Sequence, residues 1–320
     1  MGNSNMNKAK KIKNDEFYTQ ISDIEKELLH YKQQFNNKIV FCNCDDPEAS
    51  NFWKYFDLNF DHLNLKKLIS THYDKEKPTY KLEIARDKNN KKLKPIKTNL
   101  IQNGDFRSPE CIDLLKESDI VCTNPPFSLF REYVDLLVKY DKKFLIIGNN
   151  NSITYKEIFK LIKDNLLWLG YNVNKSMDFI LSDNYEKYNY IDENGFKHGT
   201  VPAITWFTNL DVKKRHEFLD LRFKSYEKNP ELYPKYDNYN AINVNKVKDI
   251  PGDYNDIIGV PITFLEYYNP KQFEIIGNVG SYAPNGYSLA SAIYINKKKV
   301  FKRIIIKRIV IQKIKQKEVK

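Results

Sequence analysis

The chain has 320 residues, 41% hydrophobic and 29% charged, enough for one large domain or two modest ones with a buried core. Its four cysteines lack the paired spacing and histidines of a zinc site, and no stretch has the apolar length of a signal peptide or membrane span. The expectation is therefore reduced, buried thiols in a cytoplasmic, membrane-free protein with no metal site. The net charge of +11 points to a polyanionic partner but is concentrated: residues 297–320 carry eleven Lys or Arg against Glu318 alone.

In chain order, residues 1–14 form a basic leader. Over residues 17–35, Tyr18, Ile21, Ile24, Leu28 and Tyr31 recur at three- and four-residue intervals, which predicts an amphipathic helix with Thr19 as its N-cap. Residues 38–44 read as a short buried strand. Asp45-Asp46-Pro47 ends it, with Pro47 near the start of a helix over 48–63. Residues 65–73 are a second strand, followed by a charged hairpin through Lys97 with its turn at 86–92. Further strands at 100–106, 120–123 and 143–148 alternate with helices at 109–117 and 128–140. This alternation predicts an α/β fold built on a doubly wound, Rossmann-like parallel sheet.

Beyond residue 165 the helical alternation fades. Residues 184–198 are rich in Tyr, Asn and Asp with a turn at Glu193-Asn194-Gly195, and 201–209 read as a strand. Residues 213–296 are turn-rich and interleave aromatics with Lys, Asn and Arg, a composition suited to reading base edges and equally to ordinary surface loops. No repeat or low-complexity linker intervenes, which argues against a loosely tethered second domain. The tail beyond Lys299 mixes β-branched residues with cations and fits an edge strand better than a free arm. Phosphate contact and protection of an exposed edge explain its lysines equally well.

The most informative segment is Thr123-Asn124-Pro125-Pro126-Phe127. Two prolines cannot continue a central strand, so the strand at 120–123 must stop and hand over to a rigid loop, where open α/β sheets bind ligands. The Asn124 side-chain oxygen and the Pro125 carbonyl suit the two N–H groups of a planar amine, freeing its lone pair for attack on a sulfonium methyl. Pro126 stiffens the loop, and Phe127 offers a ring on which a base can stack. A simple turn closing a strand is the bland alternative.

Methyl transfer requires a pocket for S-adenosyl-L-methionine. Asp45 and Asp46 follow the first strand, where a carboxylate would hold the donor's ammonium or would merely cap a helix. The turn lacks the glycines of a dinucleotide fingerprint. Asp105 and Phe106, in Gly104-Asp105-Phe106, have the chemistry of an adenine clamp, and Asp74 is a weaker candidate for the ribose hydroxyls.

Asp15-Glu-Phe-Tyr-Thr19, Phe41-Cys-Asn-Cys-Asp-Asp-Pro47, Gly104-Asp-Phe-Arg-Ser108, Thr123-Asn-Pro-Pro-Phe-Ser-Leu-Phe130, Lys143-Phe-Leu-Ile-Ile-Gly-Asn149 and Gly259-Val-Pro-Ile-Thr-Phe264 together resemble the EcoRI-type adenine-specific DNA methyltransferases. The resemblance runs from about Asp15 to Gly277 and thins beyond. It implies a class I methyltransferase fold, S-adenosyl-L-methionine as donor and adenine N6 in double-stranded DNA as acceptor. By family analogy Tyr18, Thr19, Asp45, Asp46, Asp105 and Phe106 surround the donor, with Thr19 on its carboxylate and Asn124 to Phe127 at the target base. The implied division is a leader at 1–14, a catalytic domain at 15–210, a target-recognition region at 211–296 and a basic segment at 297–320. The implied setting is a restriction–modification system whose cognate endonuclease shares the DNA site without forming a stable complex. The name-giving member modifies GAATTC, which makes that sequence the first to test. The competing expectations are methylation of RNA or of a protein glutamine through the same loop, and a binding protein without turnover.

Overall fold

Every position of β2 (Ile39–Cys42) is buried, and the larger sheet is wound around this strand. The computed structural model describes residues 18–44, 46–75, 79–173, 177–181, 188–201, 203–280 and 292–309. They fall into two compact units, one within 1–153 and 167–212, the other within 154–166 and 213–320. In the first unit, β3 (Lys67–Thr71), β2, β6 (Ile120–Thr123) and β7 (Lys143–Asn149) lie side by side and parallel. Antiparallel strands flank them: β4 (Tyr80–Ala85) and β5 (Ile96–Asn99) beyond β3, and β12 (Ile204–Thr208) and β8 (Trp168–Leu169) beyond β7. The doubly wound α/β expectation holds for the parallel centre. The chain leaves β2 for β3 on one side and later returns to β6 on the other. The carboxyl ends of β2 and β6 are therefore the topological switch point, where such sheets form a crevice.

The helices follow from amphipathic spacing and caps. Ser50 accepts the Phe52 N–H at 3.0 Å and starts α2 (Asn51–Leu58), while Ser108 caps α3 (Pro109–Glu117), whose proline at the first position costs no intrahelical bond. Phe52, Trp53, Tyr55 and Phe56 of α2 pack with Ile24 and Leu28 of α1 (Ile21–Leu28) in one core. α1 is pinned by Glu27, which is fully buried. Its carboxylate accepts from Tyr31 Oη (2.8 Å), the Tyr171 and Asn172 backbone N–H groups (2.6 and 2.8 Å) and Asn172 Nδ2 (2.9 Å). Burial pushes the Glu27 pKa above the ordinary carboxyl range, and these four donors oppose the shift.

The second unit holds a five-stranded sheet in the order β13 (Lys235–Tyr236), β14 (Tyr239–Asn243), β15 (Ile258–Val260), β19 (Ile304–Arg308), β16 (Phe273–Asn278), with only β14 and β15 parallel. α5 (Lys156–Lys163) packs on β16.

Four local expectations are corrected. Thr19 does not cap α1: Gln20 holds the N-cap position, and Thr19 is drawn into β1 (Tyr18–Thr19), where it pairs with Phe179 of β9 (Met177–Leu181). Pro47 lies in a turn before Ser50 because the serine supplies a stronger start signal than the proline. Residues 100–106 are a loop, not a strand. The hairpin partner of β4 is β5, and Gly104 then takes a φ of +74° that a β-strand cannot hold. The tail strand is not at an edge: β19 lies between β15 and β16, with Ile304, Ile305 and Ile306 all buried. Three consecutive apolar residues fit an inner strand covered on both faces. The leader at 1–14 and residues 310–320 lie outside the described residues.

Candidate active site at the carboxyl edge of the parallel strands

β6 ends at Thr123, as the double proline demands, and Phe127 opens a single turn of 3₁₀-helix (Phe127–Leu129) leading into α4 (Phe130–Lys139). Asn124 is half-buried at the strand end, and Pro125 is buried. Phe127 is half-buried and packs against the core of the first unit. The loops after β2 and β6 are tied together. The Cys44 backbone N–H donates to Thr123 Oγ1 at 3.2 Å, and Tyr133 of α4 donates from its hydroxyl to Asn43 Oδ1.

Tyr133 also meets Phe106 edge to face, with ring centroids 5.1 Å apart, which brings the 100–108 loop to the same place. The Gly104 backbone lies close against β3's continuation: a Cβ there would sit 2.0 Å from the His72 carbonyl oxygen. The Asp74 N–H donates to the Asn103 carbonyl at 3.1 Å, so Asp74 borders this loop as well. Thr19 joins from β1 through its carbonyl, which accepts from Asn51 Nδ2 at 2.8 Å at the start of α2. Sheet topology and these contacts thus gather Thr19, Asp46, Asp74, Asp105, Phe106 and Asn124 along one edge. The Tyr18 backbone lies beside Thr19 in β1. Asp45 lies outside the described residues.

Asp46 and Asp105 are held differently. Asp46 Oδ1 accepts from Tyr80 Oη at 2.8 Å and from the Glu48 N–H at 3.0 Å, with His72 Nε2 4.0 Å from Oδ2. Burial and then the Asp46 bond push the Tyr80 pKa up. Asp105 takes a bidentate pair from Arg107, 2.8 Å from Nε and 2.6 Å from Nη2, and accepts the Arg107 N–H at 2.9 Å. The Arg107 hydrogen bonds hold its carboxyl below the usual range, against burial. A carboxylate has about four acceptor positions, so Asp105 retains room for about one more donor.

Asn43, Tyr133, Tyr80 and His72 escaped the sequence reading. Asn43 was the most detectable of them, as a polar residue ending an otherwise apolar run. Asn43 Nδ2 and Thr19 Oγ1 are buried without a hydrogen-bond partner among the described residues. Orphaned polar atoms at a crevice fit a polar ligand. Cys42, Cys111 and Cys122 are buried and Cys44 is half-buried, none of them in a disulfide. No metal-binding cluster occurs among the described residues. No helix of the described residues is long and apolar enough to cross a membrane.

The model of the family described as adenine-specific methyltransferase EcoRI matches residues 5–317. The chain belongs to this family. Membership in the EcoRI methyltransferase family makes it a DNA adenine methyltransferase. It is 54% identical over 290 residues to the type II methyltransferase M.EcoRI of Escherichia coli, covering 86% of this chain and 89% of that protein. It is 46% identical to two mycoplasma type II methyltransferases, over 277 residues to M.MgeORF184P of Mycoplasma genitalium and over 276 residues to M.MpnI of Mycoplasma pneumoniae. Each alignment covers 84% of both chains. No solved structure matches the chain. The family match extends to residue 317, through most of the basic tail and beyond Gly277, where the motif resemblance thins.

Proposed function

We propose that this methyltransferase transfers the methyl group of S-adenosyl-L-methionine to N6 of an adenine turned out of duplex DNA, as the modification enzyme of a restriction–modification system. The observation that carries this reading is Asn124 at the carboxyl end of β6, beside the switch point, in a loop stiffened by Pro125 and Pro126. The exocyclic amine of adenine is a weak nucleophile because its lone pair is delocalised into the ring. The Asn124 side-chain oxygen and the Pro125 carbonyl accept its two N–H groups, draw the nitrogen toward tetrahedral geometry and free the lone pair. Attack needs no ionised base. Phe127 stacks on the extruded base and offsets part of the unstacking cost of a few kcal/mol.

S-adenosyl-L-methionine supplies an electrophilic sulfonium methyl group. Thr19 Oγ1, an orphaned donor, fits the carboxylate of an amino acid, and Asp46 fits its ammonium. Asp105 and Phe106 fit the amino group and ring face of adenine, Asp74 the ribose, and Tyr18 and Asp45 complete the set by family analogy. Double-stranded DNA is the partner, read chiefly by residues 211–296, while residues 15–210 form the catalytic domain. A cognate endonuclease shares the DNA site without a stable complex, and the setting is cytoplasmic.

The test is incubation with radiolabelled donor and plasmid DNA, RNA or total protein, followed by digestion of the DNA to nucleosides and mapping of N6-methyladenine to its sequence context. Label in duplex DNA as N6-methyladenine, lost in Asn124→Ala, is expected. Label confined to RNA or protein, or an unaffected Asn124→Ala rate, would sink the proposal.

A further inference from the structure

The second unit fixes a guanidinium rigidly without neutralising it. Arg303 is half-buried just before β19, and its Nε donates to Asn243 Oδ1 and its Nη2 to Asn245 Oδ1, both at 3.0 Å. Its Nη1 donates to the Phe301 carbonyl at 3.3 Å. Both amides are themselves held. Asn243 is 3% exposed, its Oδ1 also accepts from Tyr236 Oη at 2.8 Å, and its Nδ2 donates to Asn245 Oδ1 at 3.0 Å. Since Arg303 and Tyr236 both donate to Asn243, its oxygen must face them, and the orientation of the amide is forced.

Every acceptor in this network is neutral, and Arg303 has no carboxylate partner among the described residues. Arg86, Arg107 and Arg222 each face an Asp. Asparagine in place of aspartate at 243 and 245 sets the plane of the guanidinium while leaving its charge in place. Three of its five N–H donors are engaged, which leaves one each on Nη1 and Nη2, the pair that a two-acceptor edge requires. Around it, Asn245, Lys246, Phe301 and Lys302 are exposed. The network also accounts for Gly259 in the Gly259-Val-Pro-Ile-Thr-Phe264 segment: a Cβ there would sit 2.1 Å from the Tyr236 hydroxyl.

We infer that Arg303 is a specificity-determining residue that reads the O6 and N7 acceptors of one guanine in the major groove of the target site. A phosphate needs only a positive charge within reach. Locking the plane of a guanidinium serves recognition of a flat bidentate edge, and Arg on guanine is the commonest specific contact of this kind. The inference rests on the DNA-methylation reading above.

The test uses the full-length enzyme, plasmid DNA of known sequence and the methyl donor, with each N6-methyladenine placed by single-molecule sequencing. Arg303→Lys is expected to lower discrimination at one G·C pair about tenfold to a hundredfold and to leave the other positions as selective as before. Asn245→Asp, nearly the same shape but carrying a carboxylate, is expected to relax the same position with an unchanged or higher Tm. A uniform loss over all sites with a shallower salt dependence would identify a phosphate contact and overturn the inference. So would a lowered Tm with unchanged sequence context, or a target sequence lacking a G·C pair. Wild-type enzyme that leaves no N6-methyladenine in DNA overturns the functional reading and this inference together. Methylation whose context ignores both variants overturns this inference alone.

Discussion

The crevice at the ends of β2 and β6 and the Arg303 network of the second unit are both polar centres, yet they use opposite chemistry. The crevice gathers carboxylates and amides on loops after parallel strands, and its Arg107 is paired with Asp105. The Arg303 network uses neutral amides to hold a cation that has no carboxylate partner among the described residues. A reaction centre for a weak nucleophile requires acceptors at fixed positions. A reader of a polyanion retains its positive charge for the partner.

Loosening the frame that holds α1 should have the greatest consequence. Glu27→Ala leaves the Tyr31 hydroxyl and three N–H donors facing an empty site and is expected to destabilise the fold by about 3–5 kcal/mol, read from urea unfolding. Because burial raises the Glu27 pKa, its folded form binds protons more readily than the unfolded chain. Its contribution is therefore full below the ordinary carboxyl value and declines as pH rises through the raised one, so the penalty of the variant should shrink over that rise. A penalty that grows with pH would contradict this picture.

Next in size is the effect at the Asn124 amide, as the proposed function has it. Asn124→Ala should lower the methylation rate by about 10²–10³-fold while donor affinity by calorimetry stays near wild type. A matching loss of donor affinity would move Asn124 from the target base to the donor site. For the second centre, Gly259→Ala should cost about 1–3 kcal/mol as Tyr236 is displaced, with relaxed sequence choice at the position read by Arg303. Stability loss without relaxed choice would separate Tyr236 from recognition.

The smallest effect concerns Asp105. Arg107 lowers its pKa, so the contribution of the pair is present above the ordinary carboxyl value and disappears as pH falls through the depressed one. Arg107→Ala should flatten the acid limb of the unfolding free energy by under about 1 kcal/mol, since the arginine is exposed. Asp105→Ala should also weaken donor binding. Unchanged affinity would confine Asp105 to holding Arg107.

The parts of the site legible in the sequence were those where covalent geometry leaves one option. Pro125 and Pro126 end β6 whatever surrounds them, and Ser108-Pro109 starts a helix from local hydrogen bonding alone. Thr19 was misplaced because its capping preference, worth about 1 kcal/mol, yields to strand pairing with Phe179, over a hundred residues away. The 100–106 segment misled because Leu100 and Ile101 resemble a strand start, whereas Ile101 is almost fully exposed and the sheet's pairing was already taken by β5. Asn43 and Tyr133 were invisible as a pair, since their bond joins segments 90 residues apart.

The strand-ending Asn124-Pro125-Pro126 loop, the alternation that winds a parallel sheet and the motifs of the adenine methyltransferase family are all written in the sequence. Each depends on residues near in sequence or on spacing that local sterics enforce. Packing alone reveals that the basic tail contributes an inner strand, that Glu27 pins α1, and that Asn243 and Asn245 hold an Arg303 with no carboxylate partner among the described residues. Those arrangements depend on which distant groups meet once the chain is packed, where a polar group stays buried only if another segment satisfies it.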